Sequence, residues 1–154
     1  MSDLEPGAYI IVPRHVSNKR LDVDDVTDPD NVELQLYEPL TDREKADQVF
    51  VFAKCTESQY FIISIKNGTY LTATDDGKPI TATVSSPMNK RIRWRIHPVG
   101  DGSGAFYISS VAFPGKVIDV AGGATDNHAD IIIYDHKDDG SENQQFFLTH
   151  PNNA

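Results

Sequence analysis

Two aspartate–tyrosine pairs in this chain share one spacing. Tyr37 follows Asp22 by 15 positions, and Tyr134 follows Asp119 by the same 15. A carboxylate accepts two hydroxyl donors at once, and an aromatic ring offers a flat apolar face. The same residue types also have plainer uses: aspartate caps turns, and tyrosine half-buries in strands. Other chemistry is poorly supplied. His15, His97, His128, His136 and His150 are scattered, with no His-x-x-x-His pair, and the chain has neither a phosphate loop nor a nucleophile elbow. His128 and His136 flank Tyr134 in sequence. Cys55 is the single cysteine, so no internal disulfide forms. The acidic stretch from Asp22 to Asp30 lacks the glycine and closing glutamate of a helix-loop-helix calcium site. Loop acidity accounts for the many aspartates better than the carboxylate pair of a glycoside hydrolase does. We expect no metal, no cofactor and no catalytic group, and so no enzyme.

The elements that must carry these residues form a repeat. Tyr9-Ile10-Ile11-Val12, Phe61-Ile62-Ile63-Ser64 and Tyr107-Ile108-Ser109-Ser110 are short strand-like segments. Each leads through a polar turn into a second one, around Leu21, Leu71 and Ile118, which are offset by 50 and 47 residues. Each unit closes on an aromatic strand: Gln48 to Phe52, Ile92 to Ile96, and Gln144 to Leu148. Apolar and polar residues alternate in Glu33-Leu34-Gln35-Leu36-Tyr37, the strand period. Thr41 to Gln48 has room for one or two helical turns, not a core helix. Tyr9, Phe61, Tyr107, Phe50, Trp94 and Phe146 are expected in the core. Three units are few for an open solenoid, and closure into a symmetric barrel removes the edges. The expectation is one all-β domain over 1–154, with repeats at approximately 6–54, 55–101 and 102–152 and twelve short strands.

A net charge of -9 argues against nucleic acid as a partner. The one basic run, Lys90-Arg91-Ile92-Arg93, reads as a solvated strand end. The start lacks a basic head and an apolar core, so a leaderless or cytoplasmic location is expected. No stretch is long and apolar enough for membrane insertion. Asn67-Gly68-Thr69 reads as a turn rather than a glycosylated sequon.

Three such units, two closing on Gln48-Val49-Phe50 and Gln144-Gln145-Phe146, resemble the ricin-type β-trefoil lectin family. The closing element of the middle repeat is Ile92-Arg93-Trp94, which keeps the aromatic and loses the glutamine. The opening Pro6-Gly7-Ala8-Tyr9 is similar to that of small fungal members of the superfamily. The resemblance implies a shallow pocket for galactose or N-acetylgalactosamine. Its parts would be Asp119, Tyr134, Asn143 and Gln144 in the third repeat, with apolar Ile132 where a polar residue is usual. In the first repeat they would be Asp22, Gln35, Tyr37, Asp47 and Gln48, with Asp47 replacing the usual asparagine. The second repeat has Thr72 in place of the aspartate, and Pro87 stands 15 positions on, so no pocket is expected there. Glycans on glycoproteins or glycolipids would be the partners. Two pockets, or a homodimer, would raise avidity. A defensive role is a family-level expectation. The alternative is a trefoil protease inhibitor acting through exposed loops near Lys78-Pro79 or Pro87 to Lys90. The acidic first loop is unsuited to a trypsin-like pocket.

Overall fold

Short alternating segments, each stopped by Gly, Pro, Asn or Asp, leave little choice but strands. The computed structural model describes residues 4–23, 30–56, 58–75 and 77–151. The acidic loop 24–29 lies outside them. The first unit contains β1 (Gly7–Pro13), β2 (Arg20–Val23), β3 (Val32–Tyr37) and β4 (Phe50–Thr56). The second contains β5 (Gln59–Ser64), β6 (Tyr70–Thr72), β7 (Thr81–Thr83) and β8 (Arg93–Pro98). The third contains β9 (Phe106–Ser110), β10 (Lys116–Val120), β11 (Ile131–Asp135) and β12 (Phe146–Thr149). Pairing runs β1–β4–β5–β8–β9–β12 and back to β1, all antiparallel, which closes a barrel without edges. The remaining strands form one hairpin per unit. This is a β-trefoil with pseudo-threefold repeats. Among the described residues no helix is long and apolar enough to cross a membrane. No three His, Cys, Asp or Glu side chains are grouped there to hold a metal ion.

The hairpins cap the barrel by bonding to one another. Leu34 N–H donates to Ile80 O and Ile80 N–H to Ile131 O, both at 2.8 Å. Leu36 N–H donates to Ala129 O at 3.0 Å, beside a bridge between Gln35 and Asp130. Each unit therefore holds the next, and the third holds the first. Leu21, Leu71 and Ile118 occupy equivalent, fully buried positions under the cap, and Phe50, Trp94 and Phe146 do so in the barrel.

Two core expectations need correction. Phe61 and Tyr107 are half-buried on the outside of the barrel, and their neighbours Tyr60 and Ile108 point inward. A strand turns successive side chains to opposite faces, so a one-residue error in register reverses the assignment. Tyr60 stays in the core because its hydroxyl donates to Leu4 O at 2.6 Å, as that of Tyr9 does to Glu5 O. Residues Asp42–Gln48 form a 3-10 helix, the short turns foreseen there. Pro87 also loses its assigned place. In β7 the position matching Tyr37 and Tyr134 is Thr83, because the second hairpin loop is shorter.

Candidate functional site

The third unit builds a hollow around one carboxylate. Asp119 sits on β10 opposite Ile132 of β11 and is almost fully buried. Gln144 ends a 3-10 turn, Glu142–Gln144, just before β12, which directs its side chain under the hairpin. Its Nε2 donates to Asp119 Oδ2 and to Asp135 O, each at 2.9 Å, and its Oε1 accepts Lys137 N–H at 3.1 Å. Every polar site of that amide is in use except one lone pair, so Gln144 fixes the carboxylate. Asn143 Nδ2 reaches Asp119 Oδ1 at 3.3 Å and Val120 O at 3.1 Å. Among the described residues, its own Oδ1 makes no such bond.

Asp119 and Asn143 open onto a hollow of about 390 Å³. Ile132 and Tyr134 line one side, and Gly122, Gly123 and Lys137 complete it. Tyr134 is 47% exposed, a high value for an aromatic ring. Lys137 Nζ stands 5.4 Å from the centre of that ring. Gly122 and Gly123 have φ of +64° and +66°, successive left-handed residues that side chains with a Cβ rarely adopt. His15 of the first unit donates from Nε2 to Ala124 O at 2.8 Å, which ties down the same loop. The sequence carried no signal for Lys137 or His15: neither belongs to a local pattern, and both arrive through folding.

Burial raises the pKa of Asp119 above the ordinary aspartate value, and the bonds from Gln144 and Asn143 and the charges of Lys137 and His15 pull it back. A raised folded-state pKa means that this group favours the folded state at low pH, and that contribution is lost as pH rises through the folded value. A ligand that donated hydroxyls to Asp119 would run the other way, since such donors need the ionised carboxylate. Affinity is expected to fall on acidification, with a midpoint above that of free aspartate. A carboxyl-carbon NMR titration of Asp119, followed beside ligand affinity, checks both; a midpoint below the ordinary value would contradict the burial argument.

The first unit repeats half of this arrangement. Gln48 Nε2 donates to Asp22 Oδ2 at 2.9 Å and to Glu38 O at 2.8 Å, and Gln48 Oε1 accepts Leu40 N–H at 3.0 Å. These are the bonds of Gln144, atom for atom. The other half differs. Gln35, opposite Asp22, donates from Nε2 to Asp22 Oδ1 at 3.2 Å. Gln35 Oε1 in turn accepts from His128 Nδ1 at 2.9 Å, and the His128 ring lies 5.3 Å from that of Tyr37. Asp47 pairs with Lys66 Nζ at 2.7 Å. The structure thus brings Asp22, Gln35, Tyr37 and Gln48 together and holds Asp47 to a lysine instead. His128 belongs with Tyr37 of the first unit, although its sequence position suggested Tyr134. His136 packs on Tyr107 at 4.4 Å. In the second unit the equivalent positions are Thr72, Thr81, Thr83 and Ile92, which offer neither carboxylate nor ring.

The sequence model of a family described as ricin-type beta-trefoil lectin domain-like matches residues 46–134, more than half of the chain. The chain belongs to that family. Solved structures agree on the trefoil. A designed threefold-symmetric protein, ThreeFoil, is 25% identical with a TM-score of 0.78, over 93% of this chain and 98% of its own. The ricin B-like lectin of Macrolepiota procera, solved in complex with lactose, is 17% identical with a TM-score of 0.71, over 97% of this chain and 100% of its own. The exo-β-1,3-galactanase of Clostridium thermocellum is 24% identical with a TM-score of 0.75; this ricin-type trefoil aligns over 97% of its length but spans 31% of that enzyme. No curated protein sequence matches the chain.

Proposed function

We propose that this ricin-type trefoil is a lectin for galactose or N-acetylgalactosamine on glycan chains, and that its working pocket is the hollow of the third unit. The observation that carries the reading is Asp119, held by Asn143 and Gln144, lining a hollow together with the exposed ring of Tyr134. The carboxylate accepts two sugar hydroxyls, and the ring receives a C–H face of the sugar. A volume of about 390 Å³ is at the low end for small-molecule sites, which suits one sugar ring. The lactose complex of the Macrolepiota lectin supports a galactoside as the first ligand to try. Asp119 is the one carboxylate among the described residues of the hollow, and amides hold both its oxygens. That supports binding over hydrolysis, which takes a pair of carboxylates.

Asp22, like Asp119, has an amide on each oxygen, from Gln35 and Gln48; the difference is that Gln35 is tied to His128, whose ring lies against Tyr37. A sugar entering there would have to displace Gln35 and break its bond to His128. Calorimetric titration with lactose and N-acetylgalactosamine is therefore expected to give one site per chain, unchanged in Asp22→Ala. A second site, lost in that variant, would show that the first pocket works as well. No binding of either sugar by the folded chain would defeat the reading. With one site per chain, tight attachment to a surface would come from several chains or an oligomer meeting several glycans.

A further inference from the structure

The basic run left over from the sequence lies in a segment whose charge is opposite to that of the whole chain. Residues 77–118 hold Lys78, Lys90, Arg91, Arg93, Arg95 and Lys116 with a single acid, Asp101, although Lys116 is paired with Asp135 of β11 at 2.9 Å. The other 22 of the 23 acids lie elsewhere, with only eight of the 14 lysines and arginines. Asp101 is itself occupied by Arg14 at 2.6 Å.

The strand β8 displays this charge in a row. Trp94 points into the core, so Arg93, Arg95 and His97 turn outward at alternate positions, about 7 Å apart. Lys90 and Arg91 lead into the row from a 3-10 turn, Lys90–Ile92. The Arg91 guanidinium lies 5.1 Å from the centre of the Phe113 ring, and that of Arg93 lies 5.5 Å from Phe61. Arg93 also donates from Nη2 to Pro87 O at 2.9 Å. Stacking on rings holds both groups in place without neutralising them. Lys90, Arg91 and Arg95 are exposed, and no ion pair among the described residues involves any of them or Arg93. Ser109 stands across from Arg95, with its hydroxyl 3.1 Å from His97 Nε2. Burial, with Arg95 and His136 nearby, lowers the His97 pKa, so it adds a neutral polar group to the row.

We propose that this face binds a sulfated polysaccharide, at a site separate from the Asp119 hollow. Flat guanidinium forks match the oxygens of a sulfate ester, and a row of them along a strand suits an extended chain with repeated charges. A neutral glycan would leave the cations unused. A DNA duplex or an anionic bilayer is a poorer match. Either would set a large negative surface against the strongly acidic remainder of the protein, whereas a single thin chain lies along the row alone.

The test is titration of the full chain with dextran sulfate, uncharged dextran, phosphatidylserine vesicles and duplex DNA. Dextran sulfate is expected to bind, with affinity falling steeply as salt is added. The exposed triple variant Lys90→Gln, Arg91→Gln, Arg95→Gln should weaken that binding by ~tenfold or more and keep the wild-type thermal midpoint. A control variant, Lys19→Gln with Lys45→Gln, should bind as the wild type does. Absence of binding to dextran sulfate, equal loss in the control, no loss in the triple variant, or stronger binding to vesicles or DNA would each overturn the proposal.

Discussion

Asp119→Ala is expected to weaken galactoside binding by ~100-fold or more. Hydrogen bonds to a charged acceptor are worth about 1.5–3 kcal/mol each, and the carboxylate offers two. Loss of about 3 kcal/mol corresponds to roughly two powers of ten in Kd. The fold should survive, because the amides that face Asp119 keep other partners: Gln144 retains Asp135 O and Asn143 retains Val120 O. A stability loss of about 1–2 kcal/mol is expected from the freed donor hydrogens. Asp119→Asn sharpens the test. It preserves size, yet its NH2 group must face either the Gln144 or the Asn143 donor, so it too should bind poorly. Calorimetry on both variants, with urea unfolding to confirm that they are folded, gives the answer. Wild-type affinity in Asp119→Ala would remove the third hollow from consideration.

The largest effect on stability is expected at Trp94. This residue is the only tryptophan and is fully buried, at the position held by Phe50 and Phe146 in the other units. Its Nε1–H donates to Leu71 O at 3.0 Å, which joins the second hairpin to the barrel. Truncation to alanine leaves a cavity and costs about 3–5 kcal/mol, and the orphaned Leu71 carbonyl adds about 1 kcal/mol. Against a typical total of about 5–15 kcal/mol, that is enough to unfold a marginal chain. Trp94→Phe should be far milder, about 1–2 kcal/mol, because the pseudo-threefold partners show that a phenylalanine fits this environment. Urea midpoints for the two variants separate these outcomes. An alanine variant as stable as the phenylalanine one would mean that the three positions are not packed alike.

Much of this was legible along the chain. Short alternating segments recur at nearly constant intervals, and the closing Gln-x-aromatic elements are local. So is the 15-residue interval between each aspartate and its tyrosine, because one hairpin carries both. What local sequence could not decide was which face a strand turns inward. Phe61 and Tyr60 are both aromatic, and Tyr107 and Ile108 both apolar, so side-chain type alone does not select between them. The barrel makes the choice, because Tyr60 finds Leu4 O for its hydroxyl while Phe61 packs beneath Arg93.

The candidate sites divide along the same line. Sequence alone established that two of the three units carry an aspartate, a tyrosine and a glutamine in one order, and that the second does not. It could not distinguish the two that do. Tertiary structure separates them through residues far away in the chain: Lys66 draws off Asp47, and His128 of the third unit engages Gln35 and covers Tyr37 of the first. In the third unit Ile132 has no polar group to offer Asp119, so Asn143 takes that oxygen and Tyr134 stays open. Hairpin patterns depend on neighbours in sequence and can be read from it. Whether a pocket is open or filled depends on side chains that meet only when the three hairpins close on one another.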